Sequence, residues 1–301
     1  SLTCRRGRRP PHEPDHFLQT EWDLTRLALY DRALECYRTA ATASEPAVRA
    51  EALRRESDVL RSRCEWDAAL ERARESAYLA QSFGLTDLFT DALVSQGAVW
   101  LVRGDLQRAR SVFLEVLALT QTASIRGLAL LNLGVTNASQ EDFTAAETLF
   151  EQAQECFERA GVRRGVAAAL TNRGRAAMMN GETDRAMSHL DEALLLAQRV
   201  DDLELVAMAT FNAAECRLLI QDFRRAEDLA STALGYFTVA GNHWRRVECL
   251  RLFGDIRLRQ RDVRMAERAY RLGLDLAQRI GARLEEQVLA ERLEPLLGAP
   301  H

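Results

Sequence analysis

A small residue returns along this 301-residue chain at nearly fixed intervals: Ser57, Gly97, Gly134, Gly174, Ala214 and Gly254. Every interval is forty residues except the thirty-seven between Gly97 and Gly134. Five positions before each anchor stands Ala52, Ala92, Ala129, Ala169, Ala209 or Cys249. Eight after it stands an acid (Glu65, Asp105, Asp142, Glu182, Asp222, Asp262), and twelve after it an alanine (Ala69, Ala109, Ala146, Ala186, Ala226, Ala266). Such a register restricts the chain to a repeat architecture. Length alone would suggest about two domains, but a solenoid buries a continuous core between neighbouring units, so one elongated domain is expected.

Within a unit the spacing predicts two helices. Gly or Ala at the anchor admits close approach of a neighbouring helix, which outweighs a helix cost of roughly 1 kcal/mol for glycine. The acid eight residues later falls in the turn before the second helix, where it caps free N–H groups and meets the positive end of the helix dipole. Gly84, Gly161, Gly241 and Gly281 follow the second helices, where left-handed C-terminal caps are expected.

This pattern resembles the tetratricopeptide repeat, a helix-turn-helix unit of about 34 residues with small residues at its crossings. The longer unit is similar to those of Pins-type spindle-orientation proteins, kinesin light chains and the sensor domains of bacterial signalling regulators. The resemblance covers roughly Phe17 to Pro295 and implies an all-α, right-handed α-solenoid of about seven repeats with a C-terminal capping helix. The expected units are 17–43, 46–83, 86–120, 123–160, 162–200, 202–240 and 242–280, with the cap at 282–297. The first unit is degenerate, with Glu21 at its anchor. Residues 1–15 form a basic, Pro-rich stretch (Arg5, Arg6, Arg8, Arg9, Pro10, Pro11) without an apolar period, expected to be a flexible tail.

The chain holds 40 basic and 44 acidic residues, a net charge of −4. That argues against a nucleic-acid surface along the whole solenoid and leaves the basic tail as the place for one. No run approaches the ~20 apolar residues of a membrane span and no signal-peptide region opens the chain, so a cytoplasmic protein with no membrane contact is expected. The six cysteines contain no Cys-x-x-Cys pair and read as buried small apolar residues. Phosphate-binding loops, nucleophile elbows and His-Glu-x-x-His are lacking, and His12, His16, His189, His243 and His301 are scattered. No enzyme activity, cofactor or metal is expected.

In the resembling superhelices the first helix of each unit lines the concave side. Two residues before the anchors stand Asn132, Asn172 and Asn212, a ladder of amides able to hold a peptide backbone, or alternatively bonded to neighbouring helices. One residue past the anchors the row reads Asp58, Ala98, Val135, Arg175, Glu215 and Asp255; three before them it reads Arg54, Val94, Leu131, Thr171, Phe211 and Arg251. With Met178 and Leu218 these rows make an apolar middle with charged ends, unless longer helices close over them as core. Arg175 would select charge or pair with Glu215, and Arg251, Asp255 and Arg259 read as a self-paired, solvated face. Arg173 is a second candidate for a partner carboxylate.

The expected function is a non-catalytic interaction module that binds a peptide or amphipathic helix through Asn132, Asn172, Asn212, Leu131, Arg175, Met178, Phe211, Glu215 and Leu218. The alternative is a ligand- or peptide-sensing domain of a larger bacterial signalling or transcription regulator. A homo-oligomer or a groove filled by the chain's own tail also fits.

Overall fold

The computed structural model describes residues 30–297. The basic tail, the beginning of the first unit with Glu21, and Cys4, His12, His16 and His301 lie outside that range. Among the described residues there are fourteen helices. The first, α1 (Tyr30–Ala40), is followed by pairs: α2 (Pro46–Ser62) and α3 (Trp66–Ser82), α4 (Thr86–Val102) and α5 (Leu106–Leu119), α6 (Ala123–Ala138) and α7 (Phe143–Arg159). Then come α8 (Arg163–Met179) and α9 (Thr183–Arg199), α10 (Leu203–Leu219) and α11 (Phe223–Ala240), α12 (His243–Arg259) and α13 (Val263–Ile280), and finally α14 (Arg283–Leu297). None is long and apolar enough to cross a membrane.

Local chemistry sets the helix ends. Asp105, Asp142, Asp222 and Asp262 accept hydrogen bonds from the backbone N–H three residues on, as do Asp202 and Asn242 at the starts of α10 and α12. Glu65 and Glu182, one methylene longer, make no such bond. Gly84, Gly161, Gly241 and Gly281 adopt φ between +67° and +72°, the left-handed geometry that glycine takes without a Cβ penalty. Cys64, Glu141, Asp201, Gln221 and Arg261 occupy the same region, which the repeat pattern does not announce.

The anchors work by size complementarity with the residue sixteen positions later, on the second helix of the pair. A Cβ placed on Gly97 would stand 2.5 Å from the Phe113 ring, and one on Gly174 2.7 Å from Leu190 Cγ. Gly134 faces Phe150 and Gly254 faces Tyr270 in the same way. Where the anchor is Ala214 or Ser57, the facing residue shrinks to Ala230 or Ala73, each fully buried.

Consecutive helices pack antiparallel, and each first helix also packs on the first helix of the next pair, from α2 on α4 through to α12 on α14. Among the described residues no comparable packing joins the second helices, so the first helices form the crowded inner layer. The curvature brings α1 and α3 against α10, α11 and α12. Tyr30, Ala33, Leu34 and Tyr37 of α1 share a buried cluster with Ala240, with Tyr236 packed against it. The Tyr30 hydroxyl donates to Glu204 Oε1 at 3.4 Å, and the rings of Trp66 and Trp244 meet edge to face.

Candidate functional site

Along α8, α10 and α12 one stripe at four-residue spacing runs from the buried middle of the solenoid to its edge. Thr171 is buried and Arg175 and Met179 are exposed; Phe211 is buried, Glu215 half-buried and Leu219 exposed; Arg251 and Asp255 are half-buried and Arg259 exposed. The helix period fixes which side chains share the stripe, and the depth of the neighbouring helices fixes which of them reach solvent.

A cavity of about 450 Å³ opens on this stripe between α6 and α8, within the size range of ligand sites. Val135, Phe143, Phe150, Ala176 and Met179 give it apolar walls, and Asn172 and Arg175 supply its polar groups. Arg175 makes no hydrogen bond or ion pair among the described residues. Asn172 spends one N–H on the Ala168 carbonyl at 2.9 Å, one turn back in its own helix. The remaining N–H of Asn172 and a guanidinium without a hydrogen bond or ion pair thus border an apolar recess, a combination suited to a carboxylate joined to an apolar group.

The other expected site residues separate. Asn132 is half-buried and donates to the Leu128 carbonyl at 2.8 Å. Asn212 is only 6% exposed and reaches across to the Thr171 carbonyl at 3.5 Å, tying α10 to α8. The amides are therefore not a uniform ladder. Phe211, 2% exposed, packs on Ala207, Ala214 and Ala226, and Met178, 6% exposed, packs on Ala186, Leu190 and Cys216. These two belong to the core, because neighbouring helices close over them. Leu131 and Leu218 stay half-buried at its margin.

Glu215 pairs with Arg251 at 3.5 Å and not with Arg175. Burial outweighs Arg175 and Arg251 in pushing the Glu215 carboxyl above its ordinary range, and its Oε2 has no hydrogen-bond partner. Arg251 also pairs with Asp255 at 3.4 Å and with Glu285 at 3.5 Å, while Arg292 pairs with Asp255 at 2.6 Å. This is an inter-helix network with Arg251 and Asp255 largely covered, not a solvated face, whereas Arg259 at its edge has no ion-pair partner among the described residues. Arg173 points elsewhere, donating to Gln154 at 2.8 Å and pairing with Glu151 at 3.6 Å on α7. The edge residues Met179, Leu219 and Arg259 fall five positions past their anchors. Extending the sequence rows by one helical turn would have exposed them.

At the other end of the inner layer, Arg54 grips both Glu51 oxygens at 2.7 and 2.8 Å and reaches Asp58 at 3.1 Å. Burial disfavours the Glu51 anion, but Arg54 and Arg55 outweigh it and hold its carboxyl at about 2. Asp91 stands beside this group. Burial, reinforced by Glu51 and Asp58 and only partly offset by Arg54, pushes its carboxyl up to about 6. Among the described residues no group of His, Cys, Asp and Glu could hold a metal ion.

No protein-family model matches the sequence, and no curated protein matches it. Solved structures do match. A Rap protein in complex with competence and sporulation factor superposes with a TM-score of 0.68 at 14% identity, over 92% of this chain and 80% of its own. The Cut9-Hcn1 hetero-tetramer of the APC/C gives 0.66 at 14%, over 96% and 50%. A signal transduction ATPase with a tetratricopeptide repeat sensor from Pyrococcus horikoshii gives 0.54 at 15%, over 95% and 43%. By fold the chain is a tetratricopeptide-repeat-like solenoid. At these identities the likeness extends to the fold alone, and the Asn172–Arg175 cavity is a property of this tetratricopeptide-like chain's own residues.

Proposed function

We propose that the solenoid is a non-catalytic interaction module that holds a segment of another protein at the cavity between α6 and α8. Arg175 carries this reading: an exposed guanidinium with no hydrogen bond or ion pair among the described residues, set among apolar walls beside the Asn172 amide. Such a group is a specificity device waiting for a carboxylate. That a protein of similar fold was solved with competence and sporulation factor bound supports the same reading. Selection from a random peptide display library, run side by side on the wild type and Arg175→Glu, tests it. Peptides enriched by the wild type alone are expected. Enrichment by neither, or equally by both, would overturn the assignment.

A second reading, a sensing domain within a larger regulator, is favoured by the contact between the two ends. A segment wedged between first helices alters superhelix curvature, and curvature is what seats Trp66 against Trp244. Loss of the near-ultraviolet circular dichroism of that ring pair on adding a selected peptide is expected. An unchanged spectrum at saturation counts against sensing.

A further inference from the structure

Resting on the interaction-module reading, we infer that the partner is an acidic chain segment with an apolar anchor between its acids, lying along the edge of the solenoid where α8, α10 and α12 end. Three observations converge there. The first is a second cavity of about 280 Å³, lined by Met178, Met179, Leu218, Leu219, Leu258 and Arg259 among others, which shares Met179 with the Asn172–Arg175 cavity. The two recesses form one track across successive repeats.

The second is an apolar ridge on that track. Met179 is 54% and Leu219 51% exposed, and Ile220 follows directly in the chain. Large side chains left in water at adjacent helix ends form a patch whose burial is favourable. The unbranched methionine adapts to an anchor of variable shape.

The third is charge. The ionised groups lining the second cavity neutralise each other: Arg251 is held by Glu215 and Asp255, and Asp255 also holds Arg292. Of the guanidiniums lining the two cavities, two make no hydrogen bond or ion pair among the described residues, Arg175 in one and Arg259 in the other, on either side of the Met179–Leu219 ridge. Glu141 stands at the wall of the first cavity, exposed on the turn after α6. A segment with a carboxylate for each guanidinium and a leucine- or phenylalanine-like residue between them matches both guanidiniums and covers the ridge. The aliphatic ridge offers no stacking platform for bases.

The test uses fluorescence anisotropy with labelled synthetic peptides that carry a central Leu-Phe pair flanked on both sides by glutamate, by glutamine or by arginine, with the distance between flanks varied. The glutamate-flanked series is expected to bind tightest and to weaken as salt is raised. Arg175→Glu and Arg259→Glu should each weaken it roughly tenfold, Arg175→Lys by less, and Glu141→Gln not at all. Met179→Ser should weaken all series. These side chains are exposed, so each variant is expected to keep its helical circular dichroism. Glutamine-flanked peptides bound as tightly and insensitive to Arg175→Glu and Arg259→Glu, with Met179→Ser still damaging, would overturn the acidic partner and leave the interaction module standing. Competition by a single-stranded oligonucleotide through the same arginines would also overturn it. Absence of binding by every series, together with an empty display selection, would remove both readings.

Discussion

Trp66, the first residue of α3, meets Trp244, near the start of α12, with ring centroids 6.5 Å apart and planes at 68°. Packing between neighbouring repeats does not span such a distance along the chain; superhelix curvature brings the rings together, as it brings Tyr30 to Glu204. An edge-to-face pair of this kind is worth about 0.5–1.5 kcal/mol beyond the area it buries. A double-mutant cycle with Trp66→Leu and Trp244→Leu should return a coupling of that size by chemical denaturation. Strict additivity would mean that the ends do not meet in solution.

Gly134 and Phe150 lock the crossing of α6 and α7, since a Cβ on the glycine would enter the ring. Gly134→Ala is expected to destabilise the solenoid by about 1–3 kcal/mol, and Phe150→Ala by about 3–5 kcal/mol. The double variant recreates the Ala214–Ala230 pairing found two repeats on. It should therefore lose clearly less than the sum, measured by urea midpoints at an unchanged denaturant slope.

Asp142 caps α7 through the Ala145 N–H at 3.1 Å, while Glu182 in the equivalent turn makes no cap bond. Asp142→Ala should cost about 1 kcal/mol. Glu182→Ala loses only exposed interactions with Arg185 and should stay within about 0.5 kcal/mol. Thermal melts of the two variants decide whether the carboxylate acts by geometry or by charge alone.

Asp91 gives the solenoid an acid-side stability gain. Its carboxyl sits at about 6 in the fold against an ordinary 3.8, so between these values the native state binds more protons than the unfolded chain. Stability from this group therefore falls as pH rises through that window and stays lowered above it. The shift corresponds to at most about 3 kcal/mol, and the half-buried position reduces this to about 1–2. Asp91→Asn should raise the melting temperature at pH 7.5 and do little at pH 4. Glu51, held at about 2 against an ordinary 4.5, loses its contribution progressively as pH falls between these values, in wild type and variant alike, and does not mask the effect. An Asp91→Asn gain equal at both pH values would rule out ionisation as its source.

Much of the fold was legible in the sequence because its signals are local. Gly84 and Gly241 announce left-handed caps, and Asp142 and Asp222 announce helix starts, since a backbone conformation or a capping bond depends only on near neighbours. Cys64 and Gln221 adopt the same left-handed geometry without any such signal; the turn imposes it on whichever residue stands there. Of the candidate site, Asn172 and Arg175 line the cavity, while Phe211, Met178 and Asn212 are buried, a depth that residue spacing alone does not report.

The sequence by itself determined the repeat pitch, the helix ends and the pairing of small anchors with large or small partners, because each rests on residues within one forty-residue unit. The tertiary structure decided which turn of each first helix stands clear of its neighbours and which charges find partners across repeats. It also decided that Trp66 lies against Trp244. Periodicity fixes the direction of a side chain around its helix; its exposure depends on where adjacent helices end, and small rotations accumulated over successive repeats are what bring the two ends of the solenoid into contact.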